Sequence, residues 1–218
     1  MENPKYYRNK LVYPVGIDEN GDISMGVFAS RSHRIININN CQIQNEKCQK
    51  IANEIFEFAK KNCISGYNEK DMSGLLRHII VRIGIKTNEI MVTIVVNKFD
   101  IPYEKELIRE ITTNNPEVKA IVKNLNNKNT NVILGKENKV IYGEGYIYDY
   151  LGDKRFKISP MSFYQVNPIQ TEKLYKKAVE YACLTGNETI FDLYCGIGTI
   201  GIFASDKAKK LIGIETVS

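Results

Sequence analysis

Asp192, Gly196, Gly198, Thr199, Gly201 and Glu215 are the residues whose types and spacing could do chemistry. They lie in ETIFDLYCGIGTIG and the later LIGIE, where an apolar stretch enters a tight glycine turn and leaves it as a helical pattern. A strand, a glycine-rich turn and a helix start together cradle a nucleotide cofactor. The three glycines satisfy G-x-G-x-x-G, and Glu215 follows Gly196 by nearly the interval at which an acid meets a ribose hydroxyl. Alone, that pattern points to NAD. Asp192 changes the reading, because a fixed carboxylate four residues before the first glycine would face and repel a dinucleotide's pyrophosphate. A carboxylate there suits a cofactor that presents cations. S-adenosylmethionine carries a sulfonium and an α-ammonium and no phosphate, so the loop reads as a methyl-donor site.

The elements that must position this loop follow from the rest of the chain. With 218 residues, 43% hydrophobic and 25% charged, it can form one large or two small units with real cores. No apolar run approaches the length of a membrane span and MENPKYYRNK has no apolar signal region, so a cytoplasmic protein is expected. Cys41, Cys48, Cys63, Cys183 and Cys195 include no C-x-x-C, and their odd number argues against a disulfide framework. A net charge of +5 permits a nucleic-acid partner without demanding one.

From Tyr7 to about Asp149 the pattern is mostly strands. Leu11 to Gly16 and Met25 to Ser30 flank the turn at Glu19 to Asp22, and Leu76 to Ile85 and Glu89 to Val96 form a second antiparallel pair. Helices are expected from Glu46 to Cys63 and from Tyr103 to Thr112, then strands at Val118 to Asn124 and Val132 to Leu134. Gly152-Asp153 joins a hairpin of Tyr146 to Leu151 and Arg155 to Ile158. Asn167-Pro168 is an N-cap and first-turn pair for a helix that buries Leu174, Ala178, Tyr181 and Ala182 and ends at Gly186. The glycine-loop strand, a helix to about Lys209 and a strand over Leu211 to Glu215 complete the chain.

RFKISPMSFYQVNPIQTEKLY, from Arg155 to Tyr175, followed by DLYCGIGTIG and IGIE, resembles the bacterial RNA uracil-5-methyltransferases, which make 5-methyluridine in 23S rRNA or tRNA. YRNK, Tyr7 to Lys10, and YGEGYIYDYLGDKRF also resemble that family's central region. The resemblance implies an α/β fold: an α+β, RNA-facing part over 1–150, then the first β-α-β unit of a Rossmann-like methyltransferase domain over 151–218. By position it implies that Gln165, Tyr194 and Glu215 contact S-adenosylmethionine, with the Gly196 to Thr199 backbone close by and Asp192 near the ammonium end. Relatives often carry Asn where this chain has Thr199.

The family's chemistry adds a cysteine thiolate to C6 of uracil so that C5 can attack the sulfonium methyl, after which a base removes the C5 proton. The nucleophile and base of that family lie in segments beyond the two cofactor strands, which this sequence does not contain. No catalytic residue is assigned, Cys195 is read as packing, and the 218-residue chain alone is expected to be inactive. The resemblance also puts Cys41 at the place of the fourth ligand of a [4Fe-4S] cluster in the parent protein, following a strand over Ile35 to Asn40. One thiolate cannot hold a cluster.

RNA is the expected partner. Arg8, Lys10, Arg31, His33 and Arg34 could meet phosphates, while Phe163 or Tyr164 could stack on a flipped base. Two other readings stay open: an S-adenosylmethionine methyltransferase of another substrate class, and a non-catalytic RNA-binding protein.

Overall fold

The computed structural model describes residues 3–38 and 40–216. The first strands are β1 (Lys10–Ile17), β2 (Ile23–Phe28) and β3 (Ile35–Asn37), followed by α1 (Glu46–Lys61), β4 (Leu76–Ile83), β5 (Ile90–Val96) and α2 (Glu104–Asn114). β6 (Val118–Leu125) and β7 (Glu137–Gly143) complete a seven-stranded sheet of order β3-β2-β1-β4-β5-β6-β7. Only the β5–β6 pair, whose connection carries α2, is parallel; the other neighbours are antiparallel.

Alternation along β1 sends Leu11, Tyr13 and Val15 to one face, where they meet the apolar stripe of α1 at Cys48, Ile51, Ala52 and Ile55. α1 starts where the Asn45 side chain accepts the N–H groups of Lys47 and Cys48, and it ends with Lys60 and Lys61 in its last turn, where cations oppose the dipole favourably. Fully buried aliphatic side chains such as Ile51 and Ile55 each contribute about 1.5–3 kcal/mol by leaving water.

β8 (Ile147–Leu151) and β9 (Lys154–Ile158) make a hairpin whose two-residue turn, Gly152-Asp153, puts Gly152 at φ 62°. Ile147, Leu151, Phe156 and Ile158 build a second core with Met91 and Ala120 from the sheet face opposite α1, and with Tyr164 and Tyr175. α3 (Pro168–Tyr181) follows, capped as expected by Asn167 accepting the N–H of Gln170 at 3.1 Å. β10 (Thr189–Leu193), α4 (Thr199–Ala204), a 3-10 turn at Ser205–Lys207 and β11 (Lys210–Ile214) form a parallel β-α-β unit. Among the described residues, no helix is long and apolar enough to cross a membrane.

Four expectations are corrected. Val132 to Leu134 is not a strand; its carbonyls are taken by Asn126 Nδ2 at 2.7 Å from Val132 and 3.0 Å from Ile133, and the strand that pairs with β6 is Glu137–Gly143. α3 buries Pro168, Thr171 and Tyr175 instead of the Leu174, Ala178 and Tyr181 stripe, because the Tyr175 ring packs edge-on against Phe203 with centroids 5.7 Å apart. The helix after the glycine loop stops at Ala204 and not near Lys209, where the Ser205 hydroxyl donates to Ile202 O and the chain tightens into the 3-10 turn. β3 ends at Asn37, short of the expected Asn40, and Asn39 lies outside the described residues.

Candidate functional site

The glycine loop begins where β10 ends. Tyr194, Gly196 and Gly198 all take left-handed backbone at φ 59°, 55° and 76°. Glycine adopts this freely, whereas at Tyr194 it costs on the order of 1–2 kcal/mol, a strain of the kind that concentrates at ligand sites. Cys195 N–H donates to Ile214 O at 3.1 Å, extending the β10–β11 ladder, and Gly198 N–H donates to Cys195 O at 2.8 Å, closing the turn. A Cβ on Gly201 would stand 2.6 Å from Asp192 Oδ2, so glycine is what lets the helix start lie against the strand.

Two carboxylates fix this loop from below. Asp192 Oδ2 accepts the N–H of Gly201 at 3.0 Å, and Glu215 Oε2 accepts the N–H of Gly196 at 2.9 Å. Tyr194 stands out with 85% of its surface exposed, and a Cβ at Gly196 would meet nothing within 4 Å. The loop mouth is therefore open, with an acid at its rim and backbone that a ligand can approach closely. Thr199 behaves differently from its neighbours: it is buried, and its hydroxyl shares a hydrogen bond of 2.9 Å with Tyr175 OH. Cys195 Sγ would lie 3.1 Å from a Cβ on Gly213, so it fills space against β11.

Gln165 lies in the 159–167 segment that links β9 to α3. Asn9, next to β1, holds this segment twice: its N–H donates to Val166 O at 2.9 Å and its Nδ2 to Gln165 O at 3.1 Å. Arg82 Nη1 donates to Ser162 O at 3.1 Å from below. Within the same segment Phe163 is 70% exposed, whereas Tyr164 is buried with its hydroxyl donating to Asp149 Oδ2 at 3.3 Å. Of the two candidate stacking rings, only Phe163 has a free face; burial and the Asp149 charge hold Tyr164 as a neutral phenol.

Beside Asn9 the sheet carries an unusual set of cations. Lys10 pairs directly with Arg82 across the β1–β4 ladder, and Arg8 adds a third charge. Like charges placed opposite each other are destabilising. Burial, then Arg82 and Arg8, bring the Lys10 ammonium down to about 8, and burial lowers Arg82 to about 10. The motif reading found Arg8 and Lys10 but missed Arg82, although an arginine inside the apolar run LRHIIVRI was the signal. It also missed Asn9, Arg77 and His78.

Cys41 is half-buried, its N–H donating to Gln49 Oε1 at 2.6 Å. Among the described residues, no three His, Cys, Asp or Glu come together, so this set of side chains does not fit an iron–sulfur cluster.

No family model matches the chain. It is 48% identical over its full length to a protein named uncharacterized RNA methyltransferase from Clostridium tetani, and 47% identical to one of the same description from Oceanobacillus iheyensis. The chain spans 47% of the length of each. A structure of the Pyrococcus abyssi tRNA (uracil-54, C5)-methyltransferase in complex with S-adenosyl-L-homocysteine superposes with a TM-score of 0.78 at 26% identity, over 99% of this chain and 51% of that one. The fold is a methyltransferase fold. Within the methyltransferase fold the β10–α4–β11 unit is the Rossmann-like part, and the glycine loop sits at the carboxyl end of its first strand.

Proposed function

We propose that this chain provides the cofactor loop and an RNA-facing sheet of an S-adenosylmethionine-dependent RNA methyltransferase that makes 5-methyluridine in 23S rRNA or tRNA. The observation that carries the reading is Glu215, an acid at the end of β11 held to the Gly196 N–H at the rim of an open glycine loop, in a chain superposing on a methyltransferase solved with S-adenosyl-L-homocysteine. When bound, S-adenosylmethionine supplies an electrophilic methyl group. Glu215, whose Oε2 holds the Gly196 N–H and whose Oε1 accepts the Thr216 N–H at 2.8 Å, presents the charged oxygens that ribose hydroxyls would meet. Exposed Tyr194 walls the adenosine side, Gly196 and Gly198 admit the cofactor to the backbone, and Gln165 reaches it from the 159–167 segment. Asp192 orients the helix start through Gly201 and sets the negative field that an ammonium would meet, while Thr199 acts through its backbone, its hydroxyl being engaged by Tyr175.

RNA contact falls to the other half. The half-buried Arg8 and Lys10 and the buried Arg82 suit a phosphate, which would relieve their mutual repulsion, and exposed Phe163 on the adjoining segment suits a base removed from its stack. We divide the chain at about residue 150, with the β8–β9 hairpin straddling the division. The [4Fe-4S] cluster stays a proposal for a longer parent protein, in which Cys41 would be one ligand.

Isothermal titration with S-adenosylhomocysteine and NAD, side by side, tests the cofactor assignment. Preferential binding of S-adenosylhomocysteine is expected, and tighter binding of NAD would overturn it. Tritium transfer from S-adenosylmethionine to unmodified bulk RNA by the complete polypeptide, with nucleoside analysis, tests the product. A methylated nucleoside other than 5-methyluridine would overturn the uracil-5 reading.

A further inference from the structure

A groove of about 740 Å3 opens on the seven-stranded sheet, and no residue of 147–216 lines it. Its floor carries Val12, Pro14 and His78; Pro14 and His78 are register partners in the β1–β4 pair, on the face opposite α1. Phe28, Arg31, His33 and Glu69 stand at one side, and the 130–133 loop closes the other. This volume lies within the roughly 300–1,000 Å3 usual for small-ligand sites.

Two side chains in this groove are buried without satisfying their polar atoms. His78 is 7% exposed and its Nδ1 has no hydrogen-bond partner among the described residues. Arg77 is 2% exposed; its Nη1 donates to Asn126 O at 2.7 Å and Lys128 O at 2.8 Å and its guanidinium lies 4.0 Å over the Tyr67 ring, yet its Nε has no partner among the described residues. Leaving such groups unpaired is costly, and a small turn of the His78 ring toward the groove would let a ligand edge recover part of that cost. Burial, then Arg77, hold His78 down to about 4, so its ring is neutral and offers one donor and one acceptor.

The mouth has the complementary character. Phe28 and His33 form a tilted ring pair with centroids 5.3 Å apart, and Arg31 stands beside them. Glu69, whose Oε1 is 3.9 Å from His33 Nδ1, is the acid of the rim. Flat rings at the entrance, a neutral imidazole and a buried guanidinium inside, and a cation at the edge match the stacking face, the hydrogen-bonding edge and the phosphate of one unpaired nucleotide. His78 and Arg82 lie four residues apart on β4, about 13 Å along the strand, so one extended strand could pass from this groove to the Lys10–Arg82 cations.

We propose that the groove at His78, Arg77 and Phe28 is a nucleobase subsite for an unpaired RNA nucleotide that flanks, and is distinct from, the one that is methylated; this rests on the RNA reading above. The base stacks at Phe28 and His33, its polar edge meets His78 and Arg77, and Arg31 faces its phosphate.

Fluorescence anisotropy of the 218-residue chain with a fluorescein-labelled, unstructured 12-nucleotide RNA, and with the same sequence as a duplex, tests it. Phe28→Ala and His78→Gln are expected to weaken single-strand binding about fivefold or more, leave duplex binding within twofold and leave S-adenosylhomocysteine binding unchanged. Lys60→Gln, at the far end of α1, serves as the control. Should His78→Gln fail to fold by circular dichroism, Phe28→Ala at the rim decides alone. Single-strand affinity within twofold of the unsubstituted chain for the folded groove variants, or no single-strand binding by that chain at all, would overturn the subsite. Groove variants that weaken RNA in a chain that prefers NAD would leave the subsite standing while the cofactor reading fell.

Discussion

Glu215 Oε2 accepts the backbone N–H of Gly196 at 2.9 Å, so the acidic end of β11 latches the first bend of the glycine loop. The same carboxylate is the proposed ribose partner, and one substitution separates these two roles. Glu215→Gln keeps an acceptor for Gly196 but removes the charge. Its melting temperature is expected to match that of the parent within the error of a scan, while titration calorimetry shows S-adenosylhomocysteine affinity lowered about tenfold.

Gly196→Ala tests close approach. Nothing lies within 4 Å of the added methyl, so only the left-handed backbone at φ 55° opposes it. A stability loss of about 1 kcal/mol by urea denaturation is expected. Loss of S-adenosylhomocysteine binding out of proportion to that change is the expected signature of a backbone that a ligand touches.

Lys10 is the clearest electrostatic liability in the sheet. Its pKa falls from 10.5 unfolded to about 8 folded, so between those values the unfolded chain holds a proton that the native state has lost. Stability therefore rises with pH through that window. Lys10→Met is expected to raise the melting temperature at pH 7 and to flatten the rise between pH 8 and 10.5. In RNA binding the same variant is expected to reduce the log-log salt slope by about one.

His78 acts at the other end of the pH scale. With its folded pKa down at about 4 against 6.5 unfolded, the unfolded chain takes up a proton first as the solution is acidified. Stability contributed by the neutral ring is present above pH 6.5 and lost as pH falls through about 4. Denaturant midpoints measured across that window are expected to fall less steeply in His78→Gln.

Phe191 and Leu193 on β10, Tyr194 just after it and Ile214 on β11 are exposed apolar groups that lie close together. Contiguous exposed patches of this kind favour association. Sedimentation velocity of the 218-residue chain is expected to show concentration-dependent growth, reduced by Phe191→Ser.

Strands with one or both faces in a core were legible because β1, β4, β5 and β6 are apolar where they pack, and α1 announced itself by its stripe and terminal lysines. β7 was not, since Glu137, Asn138, Lys139 and Val140 are all exposed and an edge strand wet on both faces leaves no period to detect. The buried face of α3 was misassigned because Leu174 and Tyr181 are as apolar as Tyr175, and only the partner ring of Phe203, distant in sequence, selects between the stripes. The glycine loop was legible as a cradle from its spacing alone. Its internal wiring was not: Thr199 looks like a loop hydroxyl until Tyr175 closes on it. The Lys10–Arg82 opposition and the unsatisfied His78 and Arg77 depend on strand register, which no local pattern encodes.

Asn9 donates twice to the 165–166 carbonyls, while its neighbours Arg8 and Lys10 belong to the cation group. Three consecutive residues thus fasten one segment and carry charge for another purpose, and they share the reading frame of β1. Deleting or inserting a single residue between Arg8 and Leu11 would turn Lys10 toward the α1 core, Leu11 toward the cations, and Asn9 away from its two carbonyls. A randomised library over this tripeptide should therefore yield many tolerated substitutions and almost no tolerated changes of length.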